Sequence, residues 1–437
     1  WGGFEDANDN DLPDLTEEWD SEADGTPDNY FLVTNALDLN SQLRSAFDQI
    51  LSTTSSASSV ATNSTRLDTE TLIYQARFRS DDWTGQLLAY DLEPDGSLGA
   101  VQWDAADEIP AHASRNILTR DGSVPGSGGG IDFIWDDLGS GQQTALDQDP
   151  SMTVDNLGEE RVAWLRGDPD TELSSGGPFR DRSTVLGDII NSDPQFVGAA
   201  NFGYESLPVG TPGRTTYQSF IQSKLDSNGA VIKPMLYVGA NDGMLHGFDA
   251  ATGVERMAYL PSTLIPEVNE LMQNDYVHRY YVDGHIYVGD AYIDRGSGDQ
   301  WATVLVGTTG AGGRTVFALD VTDPHNFGTG DVMWEFTDAD LGATIGQPVV
   351  ARMADGTWAA IFGNGYNSDN NRAVLFIVDL EDGTLLKKID TLVGSIGSPN
   401  GLATPSLIAD GTRTIRTIFA GDLLGNLWEF DVSNVSD

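Results

Sequence analysis

Cysteine is absent from the 437 residues. That excludes disulfide staples, zinc thiolates and thiol catalysis, but not export, because a β core of this size needs no staples. Long apolar runs are missing too: no stretch approaches the ~18 consecutive apolar residues of a membrane-crossing helix. Lysine is scarce, confined to Lys224, Lys233, Lys387 and Lys388. No basic stripe can follow a phosphate backbone, so nucleic acid is not an expected partner. Against 23 Lys and Arg stand 67 Asp and Glu, a formal charge of −44. Such a surface repels nucleic acid and anionic membrane and attracts cations. Calcium chemistry and adaptation to salty water both produce it. The chain opens on Trp1-Gly2-Gly3-Phe4, with no initiator Met and no signal-like segment, and is expected to be a portion of something longer.

What is present points to β structure. Forty-nine glycines, with frequent Asp, Asn, Ser and Thr, favour a turn-rich β protein. The length suits one large all-β domain or two to three ordinary ones. Met235 to Gly253 is the organising stretch: Leu236-Tyr237-Val238 is a short apolar strand, Asn241-Asp242-Gly243 a tight turn, and Met244–Phe248 a returning strand. A lone hairpin is marginal in water, so such a unit must pack beside others.

The others are there. Val238-Gly239 with Gly247-Phe248-Asp249 is echoed by Val306-Gly307 with Ala318-Leu319-Asp320. It returns as Phe362-Gly363 with Ile377-Val378-Asp379, and as Ala420-Gly421 with Glu429-Phe430-Asp431. Ala89-Tyr90-Asp91 is a weaker, earlier copy. Each copy is an apolar strand ending in Gly, a polar turn, and a strand ending in an apolar residue and Asp. An irregular β-sandwich also repeats strand–turn–strand units, but joint recurrence of the second strand and its terminal Asp favours four-stranded propeller blades with loop insertions. The pattern further predicts a hairpin from Thr71–Phe78 and Gln86–Leu92, a flexible loop at 121–130, a short helix at Gln142–Gln148, and irregular insertions at 170–180 and 205–215. One helix precedes all this, capped by Asp38 and carrying Leu39, Leu43, Phe47 and Ile50/Leu51 at helical spacing. The Ser/Thr run Ser52–Ser59 then reads as a linker, with the main boundary near residue 56.

The sharpest chemical signal lies at the N-terminus. Asp6, Asn8, Asn10, Asp14 and Glu17 place oxygen side chains at positions 1, 3, 5, 9 and 12 of a loop, with the Leu12 carbonyl at position 7. A hard ion taking six to eight oxygens requires such a cage, and Glu17 can close it bidentate. The pattern returns as Asp20, Glu22, Asp24, Gly25, Thr26, Pro27 and Asp28, with Gly25 at the sharp turn and Phe31 where a closing carboxylate would stand. Asp11 at the turn position weakens the first loop. The expected calcium ligands are Asp6, Asn8, Asn10, Leu12, Asp14, Glu17, Asp20, Glu22, Asp24, Thr26 and Asp28. No flanking helix pair accompanies them, which favours a structural clamp over a switch.

Other patterns carry less. The oxygen-rich run Asn364–Asn371 reads first as a polar turn. Arg166-Gly167-Asp168 is a tripeptide that some adhesins present to integrins, but chance and a local role in turn geometry outweigh receptor binding. The histidines at 112, 246, 278, 285 and 325 show no metal spacing. No Gly-x-Ser-x-Gly, phosphate loop or nucleotide fingerprint occurs.

Together, MLYVGANDGMLHGFDAATG, HRYYVDG (278–284), WATVLVGTTGAGGRTVFALDVTDP (301–324), AGDLLGNLWEFDVS (420–433), GFEDANDNDLPDLTEEWDSEADGTPDNYF and FRDRSTVLGDIINSDPQFVG (179–198) resemble the PilY/PilC family of type IV pilus tip-associated adhesins and assembly factors. The resemblance implies an all-β, quinoprotein-like β-propeller over 56–437. Before it would come an acidic calcium-loop segment (1–36) and a helix with its linker (37–55), the helix being the end of an upstream von Willebrand A-like domain. It further implies a non-enzymatic, extracellular protein at the pilus tip or cell surface, where it works in pilus assembly, retraction control and adhesion. Minor pilins and a host or abiotic surface would be its partners, without membrane insertion. Several family members carry a calcium loop just before the AGDLLGNLW strand. Here that place reads Leu407-Ile408-Ala409-Asp410-Gly411-Thr412-Arg413, with one carboxylate and a nearby cation, which argues against calcium there. Two other functions fit a propeller. A pyrroloquinoline-quinone dehydrogenase is disfavoured by the missing vicinal disulfide and the lack of an assignable catalytic Asp. A secreted glycan-binding propeller would not depend on pilins.

Overall fold

A computed structural model describes residues 59–62, 72–93, 97–124 and 126–434. The expected calcium loops, the helix at 38–51 and most of the linker lie outside the described residues. Residues 57–78 and 83–437 group as one compact unit.

Five sheets follow one another along the described chain. The first holds β1 (Ser59–Thr62), β2 (Leu72–Arg79), β3 (Thr84–Leu92) and β4 (Leu98–Asp104). The second adds an outer pair, β5 (Ile117–Arg120) and β6 (Gly130–Asp132), to β7 (Gln195–Val197), β8 (Met235–Gly239), β9 (Leu245–Asp249) and β10 (Glu255–Tyr259). β5 joins β10 in parallel, whereas the other assigned pairs within the sheets are antiparallel. The third sheet is β11 (Ile286–Asp294), β12 (Asp299–Thr308), β13 (Val316–Asp320) and β14 (Val332–Phe336). The fourth is β15 (Val349–Arg352), β16 (Trp358–Gly363), β17 (Val374–Asp379) and β18 (Leu385–Asp390). β19 (Ser406–Ala409), β20 (Ile415–Gly421) and β21 (Leu427–Asp431) make the fifth.

Side-chain alternation explains how the sheets stack. Successive residues of a strand point to opposite faces. In β8, Leu236 and Val238 join the core shared with the first sheet, while Met235 and Tyr237 join the core shared with the third. In β16, Ala360 and Phe362 face the third sheet, and Ala359 and Ile361 face the fifth. Four apolar cores therefore lie between consecutive sheets. Both faces of the second and third strands are covered in the second, third and fourth sheets, so stretches such as Val304–Val306, Ala359–Phe362 and Val374–Val378 read as unbroken apolar runs. The first strands β1, β7, β11 and β15 lie side by side in succession. Sheets stacked face to face with their first strands gathered together are the blades of a β-propeller.

The repeated residues occupy equivalent places. Gly239, Gly363 and Gly421 end second strands, with Gly307 one residue from the end of its own; Asp249, Asp320, Asp379 and Asp431 end third strands. Each of those aspartates accepts, through Oδ1, the N–H two residues on: Ala251 at 3.1 Å, Thr322 at 3.0 Å, Glu381 at 2.8 Å and Ser433 at 3.0 Å. The carboxylate thus stops the strand and starts the turn. The expected hairpin forms as β2 and β3. The expected short helix is α1 (Ser140–Leu146), starting early because Gln142 accepts the Gly139 N–H at 3.0 Å. Two further helices, α2 (Gly158–Arg166) and α3 (Tyr217–Ser223), escape sequence periodicity. The buried side of α2 includes a charged residue, Arg161, which breaks its apolar stripe.

A Cβ on Gly239 would stand 1.8 Å from the Val282 carbonyl oxygen, whereas on Gly421 it would meet nothing nearer than 3.9 Å. Gly239→Ala is therefore expected to destabilise by about 3 kcal/mol and Gly421→Ala to change stability by less than about 0.5 kcal/mol, read from urea or thermal unfolding of the two variants.

Candidate functional site

Three of the distinctive sequence stretches meet in one buried polar cluster. They bring Gly187 and Asp188, Asn241 and Asp242, and the 278–283 run. The turn after β8 places Asn241, 1 % exposed, at the centre. Its N–H donates to the Asp188 carbonyl at 2.9 Å. Its Nδ2 donates to Asp188 Oδ2 at 2.7 Å and to Asp283 Oδ2 at 3.3 Å. Its Oδ1 accepts the Tyr281 N–H at 2.9 Å. One amide thus joins the segments leading into β7 and β11.

Asp283 makes the same joint from the other side. Its Oδ1 accepts the N–H groups of Ile190 at 3.1 Å, Asn191 at 2.8 Å and Ser192 at 2.8 Å. Burial pushes its carboxyl up to about 6, those N–H donors pull it down, and the nearby Asp188 adds to the rise. Asp188 Oδ2 also lies 2.8 Å from His278 Nε2. The Trp83 ring covers that imidazole at 3.9 Å, and Tyr280 meets it edge-on at 5.2 Å. Beside Asp283 opens a recess of about 350 Å³ lined by Asn191, Tyr280, His285, Ile345 and Tyr366.

A ladder of alternating charge runs outward from the cluster. Asp242 Oδ2 accepts the Gly187 N–H at 2.9 Å and lies 3.0 Å from His246 Nε2. His246 Nδ1 is 2.8 Å from Glu255 Oε1. Arg115 holds Glu255 with two bonds, at 2.7 and 2.8 Å, and its Nη1 donates to the Arg166 carbonyl at 3.1 Å. Burial disfavours charge on His246, but Asp242 and Glu255 prevail and raise it to about 9. Burial likewise opposes ionised Glu255, yet Arg115 and His246 hold it at about 2. Both imidazole nitrogens face carboxylates and the ring is fully buried, so neither is available to move a substrate proton. The ladder binds segments together.

The sequence-predicted ligands Asp6, Asn8, Asn10, Leu12, Asp14, Glu17, Asp20, Glu22, Asp24, Thr26 and Asp28 lie outside the described residues. Among the described residues, no group of three or more His, Asp or Glu side chains could hold a metal ion. Arg166 of the Arg-Gly-Asp tripeptide turns inward: it donates to the carbonyls of Phe133 at 3.0 Å and of His112 and Arg115 at 2.9 Å. Gly167, at φ 98°, caps α2, and Asp168 pairs with His112 at 3.1 Å. The tripeptide is a helix end. Asn364 spans its own turn, donating to the Asp340 and Arg372 carbonyls at 2.8 Å and accepting from Val374 at 3.0 Å and Leu402 at 2.9 Å. That run is a polar turn with a structural task. Sequence reasoning missed Arg115, Glu255 and Trp83. Arg115 and Glu255 meet across 140 residues, a pairing no local signal carries.

These features define a β-propeller whose blades are locked by buried polar joints. Residues 186–437, more than half of the chain, match the family model described as the PilY1 beta-propeller domain, and the chain belongs to that family. It is 38% identical over 449 residues to a type IV pilus biogenesis factor PilY1 homolog of Xylella fastidiosa, covering 93% of this chain and 30% of that protein. It is 39% identical over 375 residues to the type IV pilus biogenesis factor PilY1 of Pseudomonas aeruginosa strain PAK, covering 82% of this chain and 30% of that protein. The chain thus spans about a third of the length of these relatives. The crystal structure of the Pseudomonas aeruginosa PilY1 C-terminal domain aligns with 39% identity and a TM-score of 0.44, over 54% of this chain and 45% of that one.

The charge ladder sets two expectations. His246 is raised from its ordinary 6.5 to about 9, so its contribution is complete below 6.5 and is lost as pH rises through 9. The thermal midpoint should fall across that window, and His246→Gln should lower it at pH 6.5 while flattening the decline. Arg115→Ala removes the guanidinium that grips buried Glu255, leaving only His246 opposite it, and should cost about 3 kcal/mol, measured by chemical unfolding at neutral pH.

Proposed function

We propose that this chain is a non-enzymatic part of a type IV pilus protein, a rigid contact platform acting in pilus assembly, retraction control and surface adhesion. The observation that carries the reading is that buried titratable groups are paired with one another: Asp188, His246, Glu255 and Asp283, with partly buried Asp242, are committed to joints between segments, and buried Asp290 is held by Lys224. Family membership supports it, since the curated relatives are named as pilus biogenesis factors. The partners of the platform are minor pilins and a host or abiotic surface, and its place is the cell surface, at the pilus tip.

Calcium enters this reading through the two N-terminal loops. Bound at 6–17 and 20–28, the ion stiffens the segment ahead of the propeller, where a part under tension needs rigidity. Asp24→Ala and Asp28→Ala are expected to lower the thermal midpoint only when calcium is present; identical melting of variant and parent in calcium would count against the loops.

The functional test is genetic and biochemical. A deletion strain should lose surface pili or attachment, and reintroduction of the gene should restore them. Purified protein supplied with pyrroloquinoline quinone should show no dye-coupled alcohol oxidation, and clear turnover would overturn the non-enzymatic reading.

A further inference from the structure

The turn between β19 and β20 stands where family resemblance implies a calcium loop, and its donor set does not fit that ion. Asp410 is its one carboxylate. The Oδ1 of Asp410 accepts the N–H groups of Thr412 at 2.8 Å and Thr414 at 3.3 Å, as well as the Thr412 hydroxyl. Its Oδ2 accepts Arg416 Nε at 2.9 Å. Calcium takes six to eight oxygens, whereas here both carboxylate oxygens are occupied and a guanidinium stands at the carboxylate. These hydrogen bonds, led by the Thr412 hydroxyl and Arg416, hold the Asp410 carboxyl far below the usual range.

A second arginine leaves the same turn. Arg413 sits at φ 55°, a left-handed conformation uncommon for a long side chain. From there its Nη1 donates to the Phe202 carbonyl at 2.8 Å and its Nε to Ser206 Oγ at 3.0 Å. Those acceptors belong to the segment between β7 and β8. That segment also packs on two other sheets: the Tyr204 ring stacks on Trp301 of β12 at 5.3 Å and meets Trp358 of β16 edge-on at 5.0 Å. Leaving the second sheet, it therefore touches the third, the fourth and, through Arg413, the fifth.

We propose that residues 198–216 are a strap across the third, fourth and fifth sheets, closed at the fifth by an arginine pair that occupies the role of a bound cation. Arg416 neutralises Asp410 within the turn, and Arg413 ties the turn to residues 202–206. The closure is consequently built into the chain and does not respond to calcium, whatever the loops at 6–17 and 20–28 bind.

Hydrogen–deuterium exchange on the whole 437-residue chain tests this, with about 5 mM calcium, above the weakest extracellular sites, compared with a chelator. Peptides covering 198–206 and 407–416 should exchange identically in both conditions; slower exchange of 407–416 in calcium overturns the proposal. Arg413→Gln should speed exchange of both peptides about two- to fivefold, with or without calcium, while Arg413→Lys, lacking the two-pronged grip, restores only part. Unchanged exchange at 198–206 in Arg413→Gln, with the thermal midpoint retained, overturns the strap. Calcium effects on peptides from residues 1–30 report on the N-terminal loops and are read separately.

Discussion

Scarcity of positive charge governs how this chain is held together. With 67 carboxylates and 23 cationic side chains, each Lys or Arg is a limited resource, and the fold spends many of them internally. Arg115 and Glu255 pair at 1 % exposure. Arg161 joins Asp155 to the Leu146 carbonyl. Arg182 lies 3.5 Å from the Trp164 ring centre while bonding Glu172. Lys224 holds buried Asp290. Arg120 gathers the carbonyls of Val124, Gly126 and Gly128, ordering the glycine-rich loop around one guanidinium. Cations used inside leave an excess of carboxylates outside, and that outer field repels anionic partners while drawing counter-ions. Its reach is set by ionic strength, about 10 Å at 0.1 M salt.

Joints between consecutive sheets use a second device. A polar residue just past the second strand's glycine reaches into the neighbouring linker. Asn241 does so in the second sheet and Asn364 in the fourth, each satisfying its amide fully on backbone or carboxylate partners. Asp422 takes the place in the fifth, accepting Asn400 Nδ2 at 2.8 Å, Asn426 Nδ2 at 2.9 Å and Trp428 Nε1 at 2.9 Å. Apolar cores between sheets are non-directional, whereas these bonds fix the register of one blade against the next.

Much of this was legible. The recurrence of Gly and Asp anchors located the second and third strands of four sheets, because turn chemistry is local: an Asp at a strand end bonds the amide two residues on wherever it occurs. The hairpin of β2 and β3 was legible for the same reason. The polar cluster was visible only in pieces. Asp188, Asn241 and Asp283 each sat in a distinctive stretch, yet nothing in their spacing said that one amide would touch two carboxylates. Helices α2 and α3 were hidden because they are short and, in α2, bury Arg161 among apolar neighbours.

The sequence by itself determined the class, through strand-length apolar runs, turn residues at set offsets and the anchors at 249, 320, 379 and 431. It determined the sign of the surface field, through composition alone. Tertiary structure decided which charges are spent inside, that Arg166-Gly167-Asp168 caps a helix, and that Arg413 reaches residues 202–206. The physical reason is range. Strand and turn preferences act over a few residues, while a buried ion pair such as Arg115 with Glu255 exists only after distant segments have excluded water between them.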